Sequence, residues 1–384
     1  LNNRKNIYLM YVIIFLQGFV FYGPVATLYR QARGLSMSEI FLIESISWIL
    51  MIVLEVPWGL FSDRFGYKKT LVFVNVLFLI SKIVFYIASS FILFLLERIL
   101  LAIVFSGLSG CDTALIYSSI EEDEVQSVFG RYSAFGTLGF LLASILSSFI
   151  VAVSLDYTAL FTIFPYALAG ILTLLLDEVN GDSKVKPKFK ESFKQAFNDK
   201  SIILFVISIA LIIEVFQSTT VFLNQAQYLK SGIDAKYFGV ILAGIQLVRL
   251  FSVKSNYLSK KLGNCKAIIL LYFLVTLCCI VLIFTANPIV SVTTIVLISF
   301  SVAMIGPIEI EIKNKTIRTS NRATILSIYS MVASLIASIS NIIIGITAEQ
   351  SLEMGFRTCS MMSILAFILM IVYFKLVKEK ITKM

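Results

Sequence analysis

Most of the residues in this chain that could do chemistry stand inside long apolar runs. Glu214 is followed one turn later by Gln217 on the same helix face. A carboxyl among apolar groups is neutralised by desolvation and recharged by a nearby cation, so it can load and release a proton as its setting changes. A structural carboxyl hydrogen-bonded to neighbouring helices fits the same pattern. Asp112 can take a cationic solute or a proton, or pair with a base at its own depth. Arg98 follows Glu97, so anion recognition competes with a local ion pair. Gln246 precedes Arg249 by about one turn, and Gln17 leads into Tyr22, Gly23 and Pro24, an amide and an aromatic beside a kink. Glu309 and Glu311 lie between Gly306–Pro307 and the bases Lys313 and Lys315, an arrangement that suits a salt-bridge gate. Glu44 and Lys82 read as a mutual or scaffold pair. The first short polar gap is different in kind: Gly59, Asp63, Arg64, Gly66, Lys68 and Lys69 crowd into eleven positions, 59–69.

The elements that must carry these residues follow from composition. The 384 residues are 58% hydrophobic and 14% charged, with a mean hydropathy of +0.92, too little charge to cover a soluble domain of this length. A spanning helix takes about 20 apolar residues. Twelve such runs are expected at 7–29, 38–61, 69–90, 92–118, 130–154, 157–176, 201–227, 237–255, 265–285, 288–312, 322–346 and 354–376. The fold class is an all-α membrane protein with 12 transmembrane helices. The first run is too long for a cleaved signal peptide, and a chain that starts at Leu1 is expected to be trimmed. With no histidine and five cysteines lacking paired spacing, no metal site of the His/Cys type and no cofactor are expected. No phosphate-binding loop of the ATPase kind is present, and the chain is not expected to be an enzyme.

Charge sets orientation. Most of the 32 lysines and arginines fall at the chain ends and in 62–69, 178–200, 254–266 and 313–322, whereas the alternate loops hold only Arg30, Arg33, Lys230, Lys236 and Arg357. By the positive-inside rule both termini are cytoplasmic. The net charge of +9 is thus a topology signal, and nucleic acid is not an expected partner. Residues 178–200 form the one real linker, dividing 1–177 from 201–384. Phe189, Phe193 and Phe197 recur at helical spacing there, which predicts a short amphipathic helix along the membrane surface rather than a floppy tether. A faint repeat is visible. Asn256, Lys260, Lys261, Gly263 and Lys266 stand where the 59–69 cluster would recur, and Gly130–Arg131 before span 5 is echoed by Asn321–Arg322 before span 11. Two pseudo-symmetric six-helix halves fit this.

The pattern G-x-x-x-D-R-x-G-x-K, read from Gly59 through Lys68, resembles the loop between helices 2 and 3 of the major facilitator superfamily, and Glu55 and Pro57 extend the likeness into the preceding helix. The resemblance implies a transporter working by alternating access, with spans 1, 4, 7 and 10 lining its cavity. It implies that Gly59, Asp63, Arg64, Gly66, Lys68 and Lys69 form a conformational latch, with Asp63 near Arg322 at the start of span 11. Tyr67 departs from the family, which has a base there. Arg98 is similar to the family's intramembrane arginine, often linked to proton coupling, but Ala102 replaces the glycine that should follow. Gly136 and Gly139 stand without the proline of the drug-antiporter motif. The expected activity is proton-coupled export of small amphipathic drugs or metabolites across the plasma membrane by a monomer in contact with lipid. The alternative is an uptake symporter for a small metabolite or sugar, and a non-transporting receptor of the same fold is disfavoured by the latch motif.

Overall fold

The computed structural model describes residues 3–108, 110–120, 124–179, 197, 200–316 and 322–382; for 3, 55–56, 59–64, 200, 314–316, 322–324 and 380–382 the description is of backbone alone. All regular structure among the described residues is helical, as hydrocarbon demands, since a helix satisfies its backbone polar groups internally. In chain order the helices are α1 (Asn3–Gln17), α2 (Ala26–Ala32), α3 (Met37–Phe65), α4 (Tyr67–Ile87), α5 (Phe91–Leu108), α6 (Cys111–Tyr117), α7 (Val125–Val153) and α8 (Leu155–Leu174). They continue as α9 (Lys200–Gln217), α10 (Leu223–Lys230), α11 (Phe238–Arg249), α12 (Ser255–Leu262), α13 (Asn264–Phe284), α14 (Pro288–Thr316), α15 (Arg322–Gln350) and α16 (Leu352–Thr382). Eleven described stretches are long and apolar enough to cross a membrane. The expected amphipathic helix at 189–199 lies outside the described residues except for Phe197.

Several spans expected to be continuous are broken. The run at 7–29 leaves the helix after Gln17 and resumes through a 3₁₀ turn at Gly23–Val25. Side chains of α8 satisfy backbone groups freed by the break: Tyr166 donates to the Gln17 carbonyl at 2.7 Å, and the Phe21 N–H donates to Thr162 at 3.0 Å. Span 4 breaks at Gly110, whose φ of +88° is open to glycine, before α6 begins. Span 7 widens into a π-turn at Ser218–Phe222, where Thr219 and Thr220 hydroxyls donate to the carbonyls of Val215 and Phe216, each at 2.7 Å. Span 8 is interrupted by 3₁₀ residues Leu250–Lys254 between α11 and α12.

Two compact units are built from this chain: Leu1–Leu35, Ile46–Lys184 and Asp234–Ala243 in the first, and Ser36–Ser45, Val185–Ile233 and Gly244–Met384 in the second. Lipid offers no hydrophobic drive for one helix to prefer another, so close approach of small residues matters more. In the first unit α1 and α7 meet where a Cβ on Gly18 would lie 2.7 Å from the Gly136 carbonyl oxygen and one on Gly139 would strike the Phe15 carbonyl. Gly136 and Gly139 are therefore contact residues of this seam. In the second unit Gly345 of α15 admits the Phe41 side chain, with Ser38 donating to the Gly345 carbonyl at 3.1 Å. Gly66, between α3 and α4, and Gly263, between α12 and α13, share a backbone conformation, with φ, ψ of 87°, 161° and 78°, 150°.

Candidate functional site

The second unit holds an acidic cluster. Glu214, on α9, is 1% exposed, and Glu44, on α3, is 4% exposed. Ser218 donates to Glu214 Oε1 at 3.2 Å, from the residue that opens the π-turn. Gln217 donates to Glu44 Oε1 at 3.3 Å. Asn341, on α15, also hydrogen-bonds the Glu214 carboxyl, and Cys359, on α16, borders it. Among the described residues no cation pairs with Glu214. The sequence links Glu214 to Gln217; the structure extends the group to Glu44, Ser218 and Asn341. Arg249 stacks over the Phe216 ring at 5.3 Å, and Gln246 lies one turn before it on α11, half-buried.

The first unit holds a cationic cluster. Lys82, on α4, is 3% exposed and donates to the Tyr22 hydroxyl at 2.9 Å, with the Phe78 and Tyr166 rings each 4.8 Å from its ammonium. Glu97, on α5, is fully buried and pairs with Arg30 of α2 at 3.6 Å; the Arg30 guanidinium also lies 5.3 Å from the centre of the Phe85 ring. This gives Glu97 an ion-pair partner on another helix. Successive helical residues point about 100° apart and cannot face each other, so Glu97 turns to another helix while Arg98 is half-buried. It also corrects the reading of Arg30 as a loop residue. Gln17 donates to Asn75 at 2.7 Å, committing its amide N–H to α4.

Asp112 sits in the first turn of α6, where it accepts from its neighbour's N–H, on Thr113, at 2.6 Å and from the Tyr132 hydroxyl at 3.1 Å. A carboxylate in the first turn complements the helix dipole. Glu309 pairs with Lys313 one turn on, while the Lys315 side chain is outside the described residues. Of the latch residues, Gly59, Asp63, Arg64 and Arg322 have side-chain positions outside the described residues, so their meeting is not part of the description. Lys68 is half-buried, Lys69 exposed, and Gly66 takes the positive φ noted above. One feature of this turn has no counterpart in the sequence reading. Glu178, just after span 6, accepts the Lys68 N–H at 3.1 Å and lies where any Cβ on Gly66 would strike its carboxylate. An acid after an apolar run was the available signal, but its distance in sequence hid its partner.

Among curated proteins none matches this chain. Solved structures with the same fold include the nucleoside transporter NupG, at 14% identity with a TM-score of 0.80 over 96% of this chain and 99% of that one. A bacterial homologue of the human lysosomal transporter Spinster, inward-facing and unoccupied, aligns at 14% identity and TM-score 0.76 over 97% and 98%. A POT family transporter in complex with 5-aminolevulinic acid aligns at 13% and 0.75 over 95% and 94%. At such identities these likenesses concern the fold. The family profile of the Major Facilitator Superfamily matches residues 7–341, most of the length, and the chain belongs to that superfamily of transporters.

Proposed function

We propose that this protein is a secondary active transporter that exports small amphipathic organic molecules by alternating access, driven by protons carried on Glu214. The observation that carries the reading is a 1% exposed carboxyl in a membrane helix whose described partners are a hydroxyl and an amide, with no cation. An ionised group at mid-membrane costs about 2.5–3.5 kcal/mol on insertion scales, so a carboxyl in this setting is poised to change protonation when its surroundings change. In this reading α1 and α2 together form the first of twelve spans. Halves 1–177 and 201–384 flank the 178–200 linker, both termini are cytoplasmic, and the plasma membrane is the site of action. The latch residues and the Glu309–Glu311 gate control the cytoplasmic side, with Gln17, Arg98, Asp112, Gln217, Gln246 and Arg249 as candidate substrate or coupling contacts.

A second reading, uptake of a polar metabolite, draws on the buried amides Asn224, Gln225 and Gln227 of α10. One experiment addresses both. Purified protein in liposomes with an imposed pH difference is screened against drugs and metabolites. Accumulation against the solute gradient, driven by opposing proton flow, supports export; accumulation with the proton flow supports uptake. Solute movement indifferent to pH overturns proton coupling.

A further inference from the structure

A cleft of about 330 Å³ opens where α1 and α7 begin, lined by Arg4, Tyr8 and Tyr11 of α1 and by Glu124 and Arg131 at the entry to α7. Glu124 fixes Arg4 at its edge, guanidinium to carboxylate at 3.1 Å. Arg131 is exposed, and among the described residues it forms no ion pair. Two guanidinium groups against one carboxylate leave a positive charge without compensation. Tyr11 is buried beneath them, its hydroxyl donating to the Val128 carbonyl at 3.3 Å and its ring stacked on Phe135 at 5.3 Å. Tyr8, exposed, stands edge-on to Tyr11 at 6.3 Å.

The cleft lies at a membrane boundary. Arg4 stands just before the first apolar run and Arg131 at the start of the fifth. The proposed orientation puts this boundary at the cytoplasmic leaflet, whose surface is anionic. Arg131 also heads an apolar stripe, because Phe135, Leu138 and Leu142 follow it at helical spacing on α7 and all are exposed. Tyr8 and Val12, one turn apart on α1, are exposed as well.

We propose that this cleft is a binding site for an anionic phospholipid. Arg131 takes the phosphate, Arg4 held by Glu124 supplies the second guanidinium, and an acyl chain runs along the stripe of α7. A guanidinium presents a planar fork of donors that matches phosphate oxygens, and basic clefts between helices at a membrane boundary suit phosphate headgroups. The negative charge of Glu124 is offset by Arg4 and does not oppose the ligand. The same arginines would serve a free phosphate, but only a lipid also covers the apolar stripe. The site is independent of Glu214 and of the direction of transport.

Native mass spectrometry of the delipidated protein in detergent, titrated with phosphatidylglycerol or phosphatidylcholine of equal chain length, tests the proposal. Wild type should take its first phosphatidylglycerol more tightly than its first phosphatidylcholine. Arg131→Gln should weaken that first event about fivefold, the equivalent of about 1 kcal/mol for one surface base. Arg131→Lys, which keeps the charge, should retain most of the affinity. Arg4→Gln, in the exposed first turn of α1, gives the same comparison if the α7 variant does not fold. Lys375→Gln, which removes an exposed base of α16 outside the cleft, should bind as wild type does. An equal loss in that variant would mean that net charge alone attracts the lipid, and would overturn the site. So would a wild type without preference between the two lipids. Displacement of the phosphatidylglycerol by millimolar inorganic phosphate would make the cleft a site for the free anion and overturn the lipid assignment.

Discussion

The two units bury charge in opposite ways. In the first, Glu97 has Arg30 as counter-charge, and the ammonium of Lys82 sits among a hydroxyl and three rings. In the second, Glu214 is buried as deeply but meets neutral groups and a second acid, Glu44. Aromatic faces and a carboxylate favour the positive charges they surround. A carboxyl among amides and hydroxyls is held by partners that accept either protonation state. The first arrangement suits a scaffold, and the second suits a proton site.

The sharpest way to break this contrast is Glu214→Gln. The variant should bind solute and exchange it across the liposome membrane, while uphill transport driven by a pH difference drops to background. Retained uphill transport would move the proton to Asp112 or an acid of α14; loss of binding as well would make Glu214 a ligand for a cationic solute. A smaller effect, on stability, comes from the other unit. Arg30→Met leaves Glu97 buried without its cation and should destabilise the protein by about 3–5 kcal/mol, read as thermal unfolding in detergent. Adding Glu97→Leu should recover most of that loss. An Arg30→Met protein as stable as wild type would mean that the pair is not what holds the cluster.

The smallest effect is expected at Asp234, a carboxyl outside the membrane. It accepts the Lys236 N–H at 3.0 Å, and this backbone hydrogen bond, with help from the Lys236 ammonium, lowers its pKa below the usual carboxylate value. Because the folded value is depressed, the stabilisation is present above the unfolded pKa of about 3.9 and is lost as pH falls through the folded one. Asp234→Asn should therefore match wild type at low pH and be slightly less stable at neutral pH. The opposite dependence would show that the cap is not made.

Membrane helices were legible in the sequence because their apolar runs are long, and Glu214 stood out because nothing near it in sequence shares its charge. The partners were not legible. Glu97 sits beside Arg98 in sequence but pairs with Arg30, 67 positions away, which no local spacing reveals. Glu44 and Glu214 are separated by most of the first unit's sequence, so no spacing rule joins them. Gly136 and Gly139 were compared with a motif lacking its proline, whereas their use is the absence of a Cβ against α1. The π-turn at Ser218–Phe222 was hidden because serine and threonine read as ordinary helix residues until their hydroxyls are seen on the carbonyls.

The break after Gln17 has a consequence for how the chain is made. α1 has 15 residues, about 22 Å of helix against a hydrocarbon layer of about 30 Å. The groups that complete its broken end, Thr162 and Tyr166, follow their partners by 141 and 149 residues. At about 5–20 residues per second of synthesis, a ribosome needs on the order of 10–30 s to deliver them. For that interval α1 carries backbone groups that lipid cannot satisfy, so its final form waits on α8 and it settles well after it is made.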